Sequence, residues 1–274
     1  MIYSQTELEN ILQNLDTTEE ENSNYKKCKY SVTKIRDCFK EPFDAPRQAA
    51  YCSKRDFYKE GSKYYQMTPE MIMEEWTKAA DAGKAGGRCL DDYIGCLFEN
   101  ASPEKTLEVF ESAADNIKNK LNTVRSYKEN DLVKNGLKFM SRERRLSCPE
   151  YNVHGRFDIL FTKVSDDPDT SIKAPAVILV DWKNDKEIKT ENRYQKLYGP
   201  LSEYDACELN LYTIQLYIYK YILRTYYQIE NPIVTMLANV QEDKVINYMP
   251  AIPYSDELVE KILKFANKVL SKNK

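Results

Sequence analysis

Asp158 and Asp181 are the residues on which any chemistry in this chain would turn. Asp158 ends the run Gly155-Arg156-Phe157-Asp158, and Asp181 follows the apolar run Ala176-Val177-Ile178-Leu179-Val180 and leads into Trp182-Lys183. A carboxylate directly after five apolar residues stands where a bare charge is costly, so it calls for a cation or a hydrogen-bonding partner. Asp158 likewise interrupts an apolar stretch, between Phe157 and Ile159. Side chains two apart on a strand share a face, so Asp181 and Lys183 point the same way. Two carboxylates and a lysine at the ends of adjacent strands are the groups that metal-dependent phosphodiester hydrolysis needs. Hard oxygen ligands hold Mg²⁺ or Mn²⁺ in a site that keeps waters, and the lysine orients the attacking water or stabilises charge on the phosphate. The backbone carbonyl of Trp182 is a further candidate ligand. The bland alternative, strand-end surface charges, suits one isolated Asp-x-Lys better than it suits both aspartates together.

A second signal lies downstream. Leu211, Gln215, Tyr219 and Ile222 fall on one face of an expected helix, and Gln215 sits between Ile214 and Leu216, where a polar side chain needs a partner. It could hold a nucleic-acid backbone or a water of the metal site, or be a satisfied core glutamine. Tyr217 and Tyr219 read first as packing residues, with Tyr219 kept as a candidate nucleic-acid contact. Arg142, Arg144, Arg145, Lys186, Lys189, Arg193 and Lys196 are basic residues that could track phosphates; Arg145, Lys186 and Arg193 are the ones retained as candidate DNA contacts. Charge-rich loops are more often simply solvated. His154 is the only histidine, so a His-based zinc site is not indicated, and it reads as structural.

The elements that must position these residues follow from periodicity. Residues 7–15 suggest a short helix, followed by an acidic linker from Thr17 to Asn24, so that 1–29 reads as an N-terminal helix plus linker. From 30 to 145 the signals are mostly helical. Thr68-Pro69-Glu70 opens a helix with threonine as N-cap and proline in the first turn. The glycines between Gly83 and Gly87 predict a break, with a second helix over 89–100 and a third from Ser102-Pro103. The region up to Arg145 reads as charged and exposed. The segment 146–274 reads as the catalytic core: a strand over 153–161, a turn from Val164 to Ser171, a central strand at 176–180 buried on both faces, and a polar loop over 184–205. A helix over 207–227, strands near 233–240 and 245–249, and a helix over 255–270 complete it. The fold class expected is α/β, with a mixed sheet flanked by helices.

At 274 residues and 42% hydrophobic content the chain can bury a sizeable core. The net charge of -3 gives no global basic footprint, which leaves room only for a local basic groove. Seven cysteines, none in CxxC spacing, indicate neither a disulfide framework nor a zinc site. No signal-peptide pattern or membrane-length apolar run is present, so a soluble intracellular protein is expected, in the cytoplasm or nucleus, a virus-infected host cell included.

Gly155-Arg156-Phe157-Asp158, Asp181-Trp182-Lys183 and Gln215-Leu216-Tyr217-Ile218-Tyr219 together resemble the PD-(D/E)XK nuclease superfamily, in particular its RecB-like and lambda-exonuclease-like branch. The stretch Val180 to Lys189, with Pro42-Phe43-Asp44 and Met67-Thr68-Pro69-Glu70, is further similar to members encoded by large DNA viruses. The resemblance spans about residues 30–270 and implies a restriction-endonuclease-like core. It also implies a Mg²⁺- or Mn²⁺-dependent deoxyribonuclease acting on single- or double-stranded DNA, an exonuclease of replication, repair or recombination. No iron–sulfur cluster is expected, since no cysteine follows Cys207. Members carry an upstream helix motif like GTxxHxxIE, whose glutamate completes the metal site. Here the matching stretch is Gly87 to Gly95, with Asp91 in the histidine position and Gly95 in the glutamate position. Asp91 or Glu99, one turn either side on the same face, could substitute, and Asp92 is the other nearby acid. Without them the site keeps two carboxylates. The alternatives are then a catalytically impaired nucleic-acid-binding protein on the same fold, or an RNA endonuclease.

Overall fold

The computed structural model describes residues 1–163 and 175–272; the turn expected from Val164 to Ser171 lies outside them. Nine helices and eight strands among these residues form an α/β fold with two sheets. The larger sheet, in the order β2-β5-β6-β7-β8, comprises Lys138–Arg142, Ile159–Lys163, Ala176–Lys183, Ile233–Val240 and Val245–Tyr248. It is mixed: β6 and β7 run parallel and the other pairs antiparallel. A parallel pair requires a crossover, and helix α8 (Glu208–Thr225) lies in it. The smaller sheet has the order β1-β4-β3, from Tyr30–Ser31, Val153–Arg156 and Arg145–Cys148. The strand expected over 153–161 is therefore two strands, β4 and β5, in two different sheets. Phe157 and Asp158 make the step between them.

The alternation of β6 sorts its side chains onto two faces. Val177 and Leu179 join a core built with α8, α9 (Asp256–Lys272), α3 (Val32–Asp37) and α1 (Gln5–Gln13). Val180 and Trp182 join a second core with α5 (Pro69–Phe98) and α7 (Asp115–Tyr127). The sheet is thus a middle layer between helices. The helix α8 is buried on nearly every side, which is why its sequence is apolar and aromatic almost all round.

Several local expectations change. Helix α5 has the expected Thr68 cap and Pro69 start, but runs unbroken for 30 residues through Gly83, Gly86 and Gly87. Glycine in a helix interior weakens it by ~1 kcal/mol relative to alanine and does not end it. A Cβ at Gly86 would come within 2.8 Å of Ile117 Cδ1 and 3.0 Å of Asn184 Nδ2, so this glycine serves close packing. Helix α6 (Pro103–Ser112) stops before α7, where Ala113 is buried between them. The stretch up to Arg145, expected to be exposed, contains the edge strand β2, whose Phe139 packs with Phe98 and Phe161. The acidic segment expected as a linker is helix α2 (Glu19–Lys27), closed by a capping box between Thr18 and Glu21. Helix α4 (Ala45–Asp56) packs on α5 through Ala49, Tyr64 and Ile72.

The N-terminal helix is part of the core. Leu8, Leu12 and Leu15 are fully buried, Lys138 pairs with Glu9 at 2.6 Å, and Ser141 Oγ donates to the Leu12 carbonyl at 2.8 Å. Truncating a buried leucine loses transfer energy and leaves a cavity, so Leu12→Ala should lower unfolding stability by about 2–5 kcal/mol. Chemical denaturation with an unchanged slope is the check; a loss below about 0.5 kcal/mol, the level of an ordinary surface substitution, would show that α1 is dispensable.

Candidate active site

The site forms where β6 ends and β5 begins. Ile159 is paired with Val180, so Asp158 and Asp181 lie next to one another beyond that pair. The Trp182 backbone N–H donates to Asp158 Oδ2 at 2.7 Å, fixing the first carboxylate against the strand that carries the second. Behind it, the Tyr219 hydroxyl donates to the Arg156 carbonyl at 2.8 Å. A Cβ at Gly155 would sit 2.7 Å from that hydroxyl and 2.7 Å from Val32 Cγ2, so glycine is what lets α8 reach the strand. Tyr219 is buried, with 4% of its surface exposed. It therefore supports the β4–β5 step and has no face free for a base, which corrects its reading as a nucleic-acid contact.

Asp181 is only 2% exposed. Gln215 Nε2 donates to its Oδ1 at 3.0 Å, and Lys183 Nζ stands 2.6 Å from Oδ2. The second contact is an ion pair: Oδ2 receives no aligned hydrogen bond. Gln215 thus contacts the carboxylate itself, where the sequence left a nucleic-acid backbone, a water or a core partner open. Lys183 Nζ also lies 4.6 Å from the centre of the Tyr212 ring, whose hydroxyl donates to Asp185 at 3.1 Å. Burial, and next the charge of Asp181, push the Asp158 carboxyl well above the usual carboxylate range. For Lys183, burial alone would lower the ammonium pKa. The Asp181 and Asp158 charges overcome it and hold the group above the ordinary lysine value. The lysine is therefore a fixed cation at neutral pH.

A cleft of about 210 Å³ opens beside these groups. Asp158, Trp182 and Lys183 line one side, Gly87, Leu90, Asp91 and Ile94 of α5 another, and Glu143 a third. The candidate helix acids fare unequally. Asp91 faces the cleft but is bound by Arg142, whose Nη2 donates to Asp91 Oδ1 at 2.5 Å and to its carbonyl at 3.1 Å. Glu99 is the C-cap of α5, 3.5 Å from Arg142 Nη1, and neither it nor Asp92 lines the cleft. Gly95 packs on the same guanidinium: a Cβ there would lie 2.5 Å from Arg142 Nη1. Among the described residues, no three His, Cys, Asp or Glu side chains gather closely enough to hold a metal ion by themselves. The donor set still suits a hard divalent cation that keeps much of its water. Asp158 and Asp181 offer carboxylate oxygens, and the buried Asp181 Oδ2 is held only by the Lys183 ion pair, with no aligned hydrogen bond among the described residues.

Glu143 was not singled out from the sequence, because the run Ser141-Arg142-Glu143-Arg144-Arg145 draws attention only to its basic residues. Those residues are largely engaged. Arg145 Nε is paired with Asp16 at 2.7 Å and its Nη1 donates to Asn22 at 3.1 Å. Lys196 is paired with Asp205 at 2.7 Å. Lys186 is exposed near Asn184, and Arg193, 3.9 Å from Glu191, lines a separate depression of about 830 Å³ with Arg47, Lys189 and the exposed Phe43 and Tyr194. His154 packs edge-on against Tyr25, in line with a structural role.

No family model matches the chain, and no curated protein matches it. Among solved structures it is similar to a protein from Eubacterium rectale whose exonuclease activity is itself an assignment, with 12% identity and a TM-score of 0.44, over 93% of this chain and 84% of that one. It is also similar to the protein SSO0001, with 13% identity and a TM-score of 0.30, over 97% of this chain and 86% of that one. Likenesses this loose carry no argument about activity. No helix among the described residues is long and apolar enough to cross a membrane.

An acid whose folded pKa is raised opposes folding above that pKa and ceases to do so as pH falls through it. Asp158→Asn keeps an oxygen to accept the Trp182 N–H and removes the half-buried charge. The variant should therefore melt above the parent at neutral pH in EDTA, with the gap narrowing as pH is lowered. An Asp158→Asn protein that melts lower at neutral pH would show that the carboxylate is not under this strain.

Proposed function

We propose that the chain is a Mg²⁺- or Mn²⁺-dependent deoxyribonuclease of the PD-(D/E)XK type, hydrolysing phosphodiester bonds at the cleft between β5, β6 and α5. The observation that carries the reading is the Asp181–Lys183 pair, with Asp158 tied to the intervening residue by the Trp182 N–H. A buried ion pair is weak support for stability, because desolvation offsets its attraction. With Lys183 on the wall of a cleft, the pair is better explained by chemistry than by folding.

Asp158 and Asp181, with the Trp182 carbonyl, would hold the cation. When bound, the metal supplies a nucleophilic water near neutral pH and neutralises the phosphate. The protein's own groups do the rest. Gln215 holds Asp181 by Oδ1, leaving Oδ2 toward Lys183. The ammonium stands at the cleft wall, where a permanent positive charge can orient a water or meet a phosphate oxygen. Tyr219 and Gly155 fix the strand step that presents Asp158.

A second reading, a nucleic-acid-binding protein without turnover, is favoured by one observation: Arg142 occupies the space beside Gly95 and binds Asp91. End-labelled single- and double-stranded DNA and matched RNA, incubated with Mg²⁺, Mn²⁺ or EDTA, separate the readings. Metal-dependent DNA cleavage is expected, with product lengths reporting exonucleolytic or internal cutting. Lys183→Ala and Asp181→Ala should each reduce it by at least ~10²-fold, the scale for losing a group that stabilises transition-state charge. Cleavage of RNA alone would reassign the substrate. Binding without cleavage by folded protein would establish the second reading.

A further inference from the structure

We infer that Glu143 supplies the third carboxylate of the cation site, in place of an acid on α5; the inference rests on the metal-dependent reading above. The α5 acids are out of contention for a physical reason. Arg142 binds Asp91 at 2.5 Å and approaches Glu99 at 3.5 Å, and its guanidinium fills the space that a side chain at Gly95 would need. The next residue, Glu143, is the remaining carboxylate on the cleft wall, together with Asp158 and Lys183.

The backbone directs it there. Glu143 has φ of +51°, in the left-handed region that residues other than glycine seldom adopt. Its N–H donates to the Asp158 carbonyl at 3.0 Å, and the Phe157 N–H donates to the Arg144 carbonyl at 3.4 Å. The β2–β3 turn is thereby tied to the segment that carries Asp158. Across the site, Asp181 Oδ2 is buried and meets the Lys183 ammonium at 2.6 Å as an ion pair, without an aligned hydrogen bond among the described residues. Glu143 itself is held by Arg156, with Oε2 3.0 Å from Nη1, and the arginine side chain is 57% exposed. The pair is half-buried, Glu143 being 29% exposed, and with its arginine in water it is held less firmly than Asp91, whose arginine is 11% exposed. As placed, the three carboxylates do not gather closely enough to hold a cation, so Glu143 would have to leave Arg156 to reach it.

The test is Mn²⁺ binding by titration calorimetry on the whole chain, with circular dichroism to confirm folding. Glu143→Gln should weaken binding by more than about tenfold, the scale at which even outer-shell partners of a metal site act. Asp91→Asn should leave it nearly unchanged. Arg156→Gln should tighten binding, and should lose that effect when combined with Glu143→Gln, which separates partner exchange from a general change of charge. Parent-like affinity in Glu143→Gln, with binding lost in Asp158→Asn, would overturn the role of Glu143 and leave the metal site standing. Loss in Asp91→Asn alone would return the role to the helix and overturn the inference. A parent chain that binds no Mn²⁺ would overturn the metal-dependent reading itself, and this inference with it.

Discussion

The carboxylate of Asp181, 2% exposed at the end of a central strand, is the constraint around which the surrounding structure is arranged. A charge in that position must be compensated, because the side chain is almost wholly withdrawn from solvent and the neighbouring strand residues are apolar. Compensation comes from two sides: Gln215 from helix α8 and Lys183 from the same strand face. The first partner obliges α8 to lie close against the sheet. That approach in turn requires Gly155, because any side chain there would collide with the Tyr219 hydroxyl and Val32. A glycine, a glutamine and a tyrosine, dispersed over 60 residues of sequence, thus answer one electrostatic requirement.

The chain's change of sheet is the second requirement. β4 belongs to the three-stranded sheet and β5 to the five-stranded one, so Asp158 falls in the step between ladders. A residue inside a ladder has its backbone committed to its neighbours. In the step, its side chain can accept the Trp182 N–H while its carbonyl accepts the Glu143 N–H. The two sheets, the β2–β3 turn and the end of β6 meet at this point. Loss of alignment in any of them would move a carboxylate, and the proposed chemistry would tolerate little displacement.

The central elements were legible in the sequence because their signals are local. The apolar run before Asp181, the Thr68-Pro69 helix start and the span of α8 need only near neighbours to be recognised. What was misread depends on distant partners. Gly86 looks like a helix breaker until Ile117 and Asn184 are seen against it. β2 looks like a charged surface stretch until Phe139 is packed between Phe98 and Phe161. The acidic stretch after Thr17 lacks apolar residues of its own and is helical because Thr18 and Glu21 cap it reciprocally. At the site, Asp158, Asp181, Lys183 and Gln215 are brought together as their types suggested. Tyr219 is not presented to a ligand, and Glu143 had no periodic signal to mark it.

The pairing of Gly95 with Arg142 shows why single positions are poor guides to whether a site is complete. An acidic side chain at 95 and the present placement of Arg142 are mutually exclusive, since the guanidinium lies where the Cβ would be. The arginine neutralises Asp91 and Glu99, and so withdraws the helix's own acids from the cleft. With Arg142 taken up by Asp91 and Glu99, the Lys183 ammonium alone stands against the carboxylates of Asp158 and Asp181. Glu143, one residue along from that arginine and paired with Arg156, adds a further carboxylate to the cleft wall. The cleft thus carries more carboxylate than lysine charge, the balance that a hard divalent cation with oxygen ligands requires.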